Sequence, residues 1–303
     1  MDRVRKLLNV DFLQSKGYLG KNSVTAVLDT GIYPHQDIEG KIIDFADFVN
    51  HRKHPYDDNG HGTHVAGIIA GSGKCSKGRY KGIAPESKII ALKCLDESGN
   101  GSIKDAINAI EYVIANKNRY GIRIVNISIG SVLKQGSRGN SVMIDAVERL
   151  WKEGLVVVAA AGNNGPERGT ITVPGCARSI ITVGSYDFEG SLNKKSGKIY
   201  NYSGRGPTSS CIIKPEILCP GKNIVSLKSN SSGYIAKSGT SMSAPVCTGI
   251  LSLFVAENSY ISNKELKKIL YQTSTDLSLD KHYQGWGLIN PYEIMISTKK
   301  LKN

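Results

Sequence analysis

Short apolar runs recur along the chain at residues 24–28, 89–95, 122–129, 155–160 and 180–183. Runs of this length, rich in Val and Ile and lacking polar alternation, predict strands buried on both faces. Between them the period changes to that of a helix. Ser102 stands as an N-cap ahead of Ile103, Ala106, Ile107, Ile110, Val113 and Ile114, which fall three and four residues apart. A second helical pattern runs over 141–153 and stops at Gly154, a natural C-cap. Strands alternating with helices predict an α/β fold: a mostly parallel sheet with helices on both faces, whose ligands bind beyond the carboxyl ends of the strands.

Stretches rich in Gly, Ser and Asn at 71–82, 134–141, 163–169 and 226–233 predict surface loops, and the polar tail 297–303 is expected to fray. None of these divides halves of contrasting composition, and there is no internal repeat. One domain over 1–303, with its core at about 18–292, is the expectation.

Composition narrows the class without choosing a function. With 40% hydrophobic and 21% charged residues, the 303-residue chain has the make-up of a globular protein, not of a disordered or fibrous one. No run of eighteen apolar residues occurs and the N-terminal apolar stretch is broken, so neither a membrane span nor a signal peptide is expected, and no membrane partner. Lys and Arg outnumber Asp and Glu by 39 − 26 = 13. The basic residues are spread thinly, with pairs only at Lys194-Lys195, Lys267-Lys268 and Lys299-Lys300, and no aromatic stripe accompanies them. A solvated basic surface is expected in preference to a nucleic-acid face. Six cysteines without a CxxC pair predict free thiols in a reducing, cytoplasmic compartment, a processed secreted form being the alternative.

Three segments place rare functional groups at element ends. In Val27-Leu28-Asp29-Thr30-Gly31 an apolar strand ends in a carboxylate and a glycine turn. In Asp58-Asn59-Gly60-His61-Gly62-Thr63-His64-Val65-Ala66-Gly67 a histidine between two glycines opens a small-residue helix, and glycines there let other backbone approach. Ser238-Gly239-Thr240-Ser241-Met242-Ser243-Ala244-Pro245 opens an apolar helix, putting Ser241 at its positive end and Pro245 in its first turn. A serine hydroxyl becomes a nucleophile when an imidazole takes its proton and a carboxylate fixes the imidazole's tautomer; Ser241, His61 and Asp29 are the right residue types. Asn163, following the run 156–160 and Ala161-Gly162, offers a side-chain N–H for an oxyanion, with the Ser241 backbone N–H as second donor.

At these segments the chain resembles the subtilisin-like serine proteases, the subtilase family (peptidase family S8), and most resembles its intracellular bacterial branch. Further matches include Gly82-Ile83-Ala84-Pro85, Asn126-Ile127-Ser128-Ile129-Gly130, Tyr202-Ser203-Gly204-Arg205-Gly206-Pro207 and Gly285-Trp286-Gly287-Leu288-Ile289-Asn290, so that almost the whole chain is covered. The resemblance implies a subtilisin-like three-layer sandwich and a serine endopeptidase with Asp29, His61 and Ser241 as triad and Asn163 in the oxyanion hole. It implies that Ser128, Ile129 and Gly130 pair with an extended peptide or protein substrate, and that Ala160, Ala161 and Gly162 line a roomy apolar slot for a large uncharged side chain. A propeptide or protein inhibitor is a further partner it suggests, although no propeptide is expected within the chain.

Where secreted relatives carry a calcium loop, this chain has the basic stretch Gly71-Ser72-Gly73-Lys74-Cys75-Ser76-Lys77-Gly78-Arg79, so no metal or other cofactor is expected there. His61 and His64 lack the glutamate of a zincin motif, which leaves His64 as a core histidine and makes zinc an unfavourable reading. His35, His51, His54 and His282 are expected at the surface. Asp57 and Asp58 are expected to be solvated loop carboxylates or, alternatively, to favour a basic substrate residue. Cys247 is expected to be a buried structural thiol, and Cys176 to sit close enough to the substrate slot for its modification to impair activity. Two rivals stand beside the protease reading: a silent subtilase acting as a scaffold, and a maturation protease for one partner.

Overall fold

The structure, a computed structural model, describes residues 1–129, 138–186 and 202–300. Gly130, the Lys194-Lys195 pair and residues 134–137 of the predicted loop at 134–141 lie outside the described residues, while 138–141 open α5. Seven parallel strands form one sheet: β1 (Val24–Asp29), β2 (Ile42–Asp47), β3 (Lys88–Lys93), β4 (Ile122–Ile127), β5 (Val156–Ala160), β6 (Ile181–Tyr186) and β7 (Ile217–Pro220). Their spatial order is β2-β3-β1-β4-β5-β6-β7, and β8 (Ile224–Leu227) with β9 (Tyr234–Lys237) makes a separate antiparallel hairpin. The helices are α1 (Asp2–Leu7), α2 (Val10–Ser15), α3 (His61–Ala70), α4 (Ile103–Tyr120), α5 (Arg138–Lys152), α6 (Thr240–Glu257), α7 (Asn263–Thr273), α8 (Lys281–Gln284) and α9 (Pro291–Lys300).

The five apolar runs became β1, β3, β4, β5 and β6, and every residue of β1 and β5 is buried. Helices α4 and α5 pack together over β1, β4 and β5, while α3 and α6 pack together, α3 on β1 and β3 and α6 across β4 to β7. The product is a helix–sheet–helix sandwich of the expected α/β kind. Because the strands are parallel, Asp29, Ile127 and Ala160 end on the same edge. The chain leaves central β1 for β2 and β3 on one side and then crosses to β4 on the other, which opens a crevice at that edge. Both α3 and α6 begin there.

Several expectations need correction. The hydrophobic core takes in the N-terminal helices as well: Met1, Val4, Leu8, Val10 and Leu13 of the α1–α2 segment are all buried. Ser297 to Lys300 do not fray but complete α9, where Thr298 is buried and its hydroxyl donates to the Ile294 carbonyl. The 226–233 loop starts later, since Ser226 and Leu227 finish β8. Pro245 is the sixth residue of α6 rather than in its first turn, so it lacks the N–H that would bond the Ser241 carbonyl. Helix α6 is long and apolar enough to cross a membrane, but it is mostly buried inside this fold.

Candidate active site

Asp29 closes β1 with its carboxylate fully buried, and Thr30 N donates to its Oδ1 at 2.8 Å. His61 starts α3 directly above it. Gly62 permits this approach, because a Cβ there would collide with the Gly31 carbonyl oxygen and crowd the Asp29 Cβ. His61 Nδ1 lies 2.7 Å from Asp29 Oδ1. The carboxylate side chain is 1% exposed and the imidazole 23%. The Nδ1–H therefore donates to Asp29 and Nε2 is left as the basic nitrogen on the cleft side. Burial works to lower the His61 pKa, but the Asp29 charge and hydrogen bond outweigh it, and the net shift is upward.

The loop that delivers His61 is held by a second carboxylate. Asp57 is 1% exposed and accepts from Thr30 Oγ1 (2.8 Å), Gly60 N (2.7 Å), Thr63 N (2.8 Å) and Thr63 Oγ1 (2.6 Å). Neither expectation for Asp57 survives: it is not solvated, and with both oxygens committed it has none to offer a basic substrate residue. Asp58 is bonded at 2.7 Å to Nζ of fully buried Lys93, which also donates to the Thr30 and Leu95 carbonyls. The burial of Lys93 was not legible in the run 89–95, where it reads as an interruption.

Ser241 is the second residue of α6, and its hydroxyl donates to the Ser128 carbonyl at 3.1 Å. The adjoining Thr240 does what the sequence reading missed. Its backbone N and its Oγ1 both donate to Asn163 Oδ1, at 3.0 and 3.1 Å, and its Oγ1 accepts from Gly162 N at 3.1 Å. With the amide oxygen committed to α6, the Asn163 N–H₂ is the end left for a ligand. A cleft of about 530 Å³ is lined by His61, Ser241, Asn163, Ser128, Ile129, Ala160 and Gly162, together with Asn59 and Lys237. Ala161 is fully buried and its carbonyl accepts from Thr172 N at 3.0 Å, so it stands behind the wall rather than on it. Lys237 was missed because it directly precedes the motif that opens α6 and breaks no apolar pattern.

The remaining histidines divide. His51 and His54 are exposed, His282 is half-buried, and His64 is fully buried, its Nε2 donating to the Ile224 (2.9 Å) and Ile235 (3.1 Å) carbonyls. His35 corrects the surface expectation: it is 1% exposed, its Nδ1 accepts from Asp37 N at 3.0 Å and its Nε2 lies 3.2 Å from the Gly233 carbonyl. His35, Asp37 and Cys75 bring possible metal-ligand atoms within 4.8 Å of one another. The Asp37 oxygens are engaged by Cys75 N (2.9 Å) and Tyr234 OH (2.6 Å), so the group is a satisfied hydrogen-bond network. The basic loop beyond it is tied to the N-terminal helix α1. Carbonyls of Gly78 (3.2 Å), Arg79 (3.1 Å) and Lys81 (2.6 Å) accept from the Arg5 guanidinium, which Asp11 holds at 2.7 Å.

Fold and site together define a serine endopeptidase of the subtilisin type. The Subtilase family model (Peptidase S8) matches residues 20–287, and the chain belongs to that family. It is 41% identical to serine protease AprX of Bacillus subtilis (strain 168) over 89% of this chain and 65% of AprX. It is 33% identical to subtilisin DY of Bacillus licheniformis over 94% of each. Among solved structures it is similar to sphericase, with a TM-score of 0.76 and 30% identity over 89% of this chain and 92% of that one.

Proposed function

We propose that the protein is an active endopeptidase that cleaves peptide bonds through an acyl-enzyme on Ser241. His61 Nε2 takes the hydroxyl proton as Oγ attacks the scissile carbonyl carbon, then returns it to the departing amine; water hydrolyses the ester by the same route. Asp29 fixes the tautomer and balances the imidazolium charge. Asn163 Nδ2 and the Ser241 N–H hold the oxyanion. The carrying observation is the 2.7 Å Asp29–His61 bond at the back of a cleft that Ser241 and Asn163 also line.

An extended substrate adds alongside Ser128 and Ile129 as an extra strand. Its N–H takes the Ser128 carbonyl that the Ser241 hydroxyl now occupies, which frees the hydroxyl to turn toward His61. Ala160 and Gly162 leave room for a large uncharged side chain before the scissile bond. The Arg5 guanidinium supports a reading in which no calcium is needed at the 71–82 loop. The six free cysteines suit a reducing compartment such as the cytoplasm.

The test is fluorophosphonate labelling together with digestion of a denatured proteome, with Ser241→Ala and a chelator as arms. Labelling and cuts that vanish in Ser241→Ala and survive chelation are expected, and Asn163→Ala should lower kcat by about 10²- to 10³-fold. Absence of both labelling and cuts would identify a silent scaffold; labelling without cuts would identify a protease dedicated to one partner.

A further inference from the structure

Lys237 ends β9 half-buried on the wall of the cleft, and it is the one permanently charged side chain among the described residues that line it. Its ammonium makes no hydrogen bond or ion pair with any described residue. The carboxylates around the catalytic histidine each have other partners. Asp29 Oδ1 is held by His61 and Thr30 N, Asp57 by Thr30, Gly60 and Thr63, and Asp58 Oδ1 by Lys93. A cation kept in a partly desolvated cleft without a partner of its own is complementary to an anion that the ligand brings.

The fold says which part of the ligand. The wall formed by the ends of β4 and β5, with Ser128, Ile129, Ala160 and Gly162, takes the residues before the scissile bond. Lys237 comes from a different element, the β8–β9 hairpin, which packs over α3, the helix that carries the imidazole protonating the departing amine. Resting on the endopeptidase reading above, we propose that Lys237 is a specificity-determining residue that selects substrates with an aspartate or glutamate in the first two positions after the scissile bond. The pair is half-exposed, so the expected preference is modest, about five- to tenfold in kcat/KM over the matching amide. It weakens in salt because the ammonium is reached through solvent.

The experiment compares synthetic peptides identical except for Asp against Asn, or Glu against Gln, at each of these two positions. Wild type, Lys237→Gln, Lys237→Arg and Lys237→Glu are assayed at low and high salt. The expected result is an acid-to-amide ratio of kcat/KM of about five to ten in wild type that shrinks in salt, persists in Lys237→Arg, falls to about one in Lys237→Gln and inverts in Lys237→Glu. Taking the ratio within each variant cancels any general loss of folded enzyme. Equal cleavage of each pair by wild type, or a preference that Lys237→Gln retains, overturns the assignment while leaving the endopeptidase reading intact. Failure of wild type both to cut any peptide and to be labelled by the fluorophosphonate overturns both.

Discussion

His61 and His64 stand on the same face of one ten-residue helix, three positions apart, and have opposite fates. Burial acts on both in the same direction, toward the neutral form. At His61 the Asp29 carboxylate reverses it and the pKa rises; at His64 no carboxylate compensates, Lys237 and His61 add repulsion, and the pKa falls to about 3. Two backbone carbonyls hold His64 between β8 and β9, whereas His61 keeps one nitrogen for chemistry. The difference teaches that the placement of one carboxylate, not depth, separates a proton carrier from a structural strut.

The sharpest way to break this comparison is to exchange the losses. His61→Ala should lower kcat by about 10⁶-fold with little change in melting temperature, as removal of the general base does in a triad. A comparable collapse in His64→Ala at a temperature where that variant is folded would refute the division of labour. Asp29→Asn removes the charge that distinguishes the two histidines, and kcat should fall by about 10⁴-fold. The acid limb of the residual activity should move to lower pH, which a pH–rate profile would show.

His64→Ala is expected to cost about 2–4 kcal/mol in denaturant unfolding, through the lost packing and the two carbonyls left without a donor. The pH dependence of stability follows from the same residue. Its folded pKa of about 3 lies below the unfolded value of 6.5, so the unfolded chain binds a proton that the native one does not. His64 therefore erodes stability as pH drops below about 6.5 toward 3, and His64→Ala should flatten that slope. His61, with its raised pKa, acts oppositely: its stabilising contribution is complete below the unfolded pKa and is lost as pH climbs through the folded one. The smallest expected effect is that of Lys237→Gln on the His61 acid limb. Removing a cation that opposes imidazolium formation should move it to higher pH, in the direction in which Asp29 and Asp57 already pull.

The sequence made the buried centre of the fold readable and its periphery much less so. Runs such as 24–28 and 155–160 are apolar on both faces because helices cover both faces, and that doubles the signal. Edge strand β2 carries Asp44 and Asp47 in a half-exposed pattern and leaves no such run, while β7 to β9 have four residues each, too few for a period. Asp29, His61, Ser241 and Asn163 were visible because each sits where an apolar element starts or stops. Asp57 and His35 were not, since their burial comes from residues far along the chain: Gly233 and Tyr234 close over the 35–37 turn, and Ser229 Oγ donates to the Asp57 carbonyl. Thr240 and Lys237 lay beside the motif, and nothing in the one-dimensional pattern tells a residue that points into a cleft from one that points away.

The Arg5 tether changes how the 71–82 loop answers to its surroundings. A loop closed by a dissociable ion gains stability in proportion to the logarithm of the free ion concentration, so its persistence varies from one milieu to the next. Here the positive charge is part of the polypeptide and is present at a fixed ratio of one per loop. The Arg5 clamp itself has no mass-action term: neither dilution nor a competing chelator can remove it.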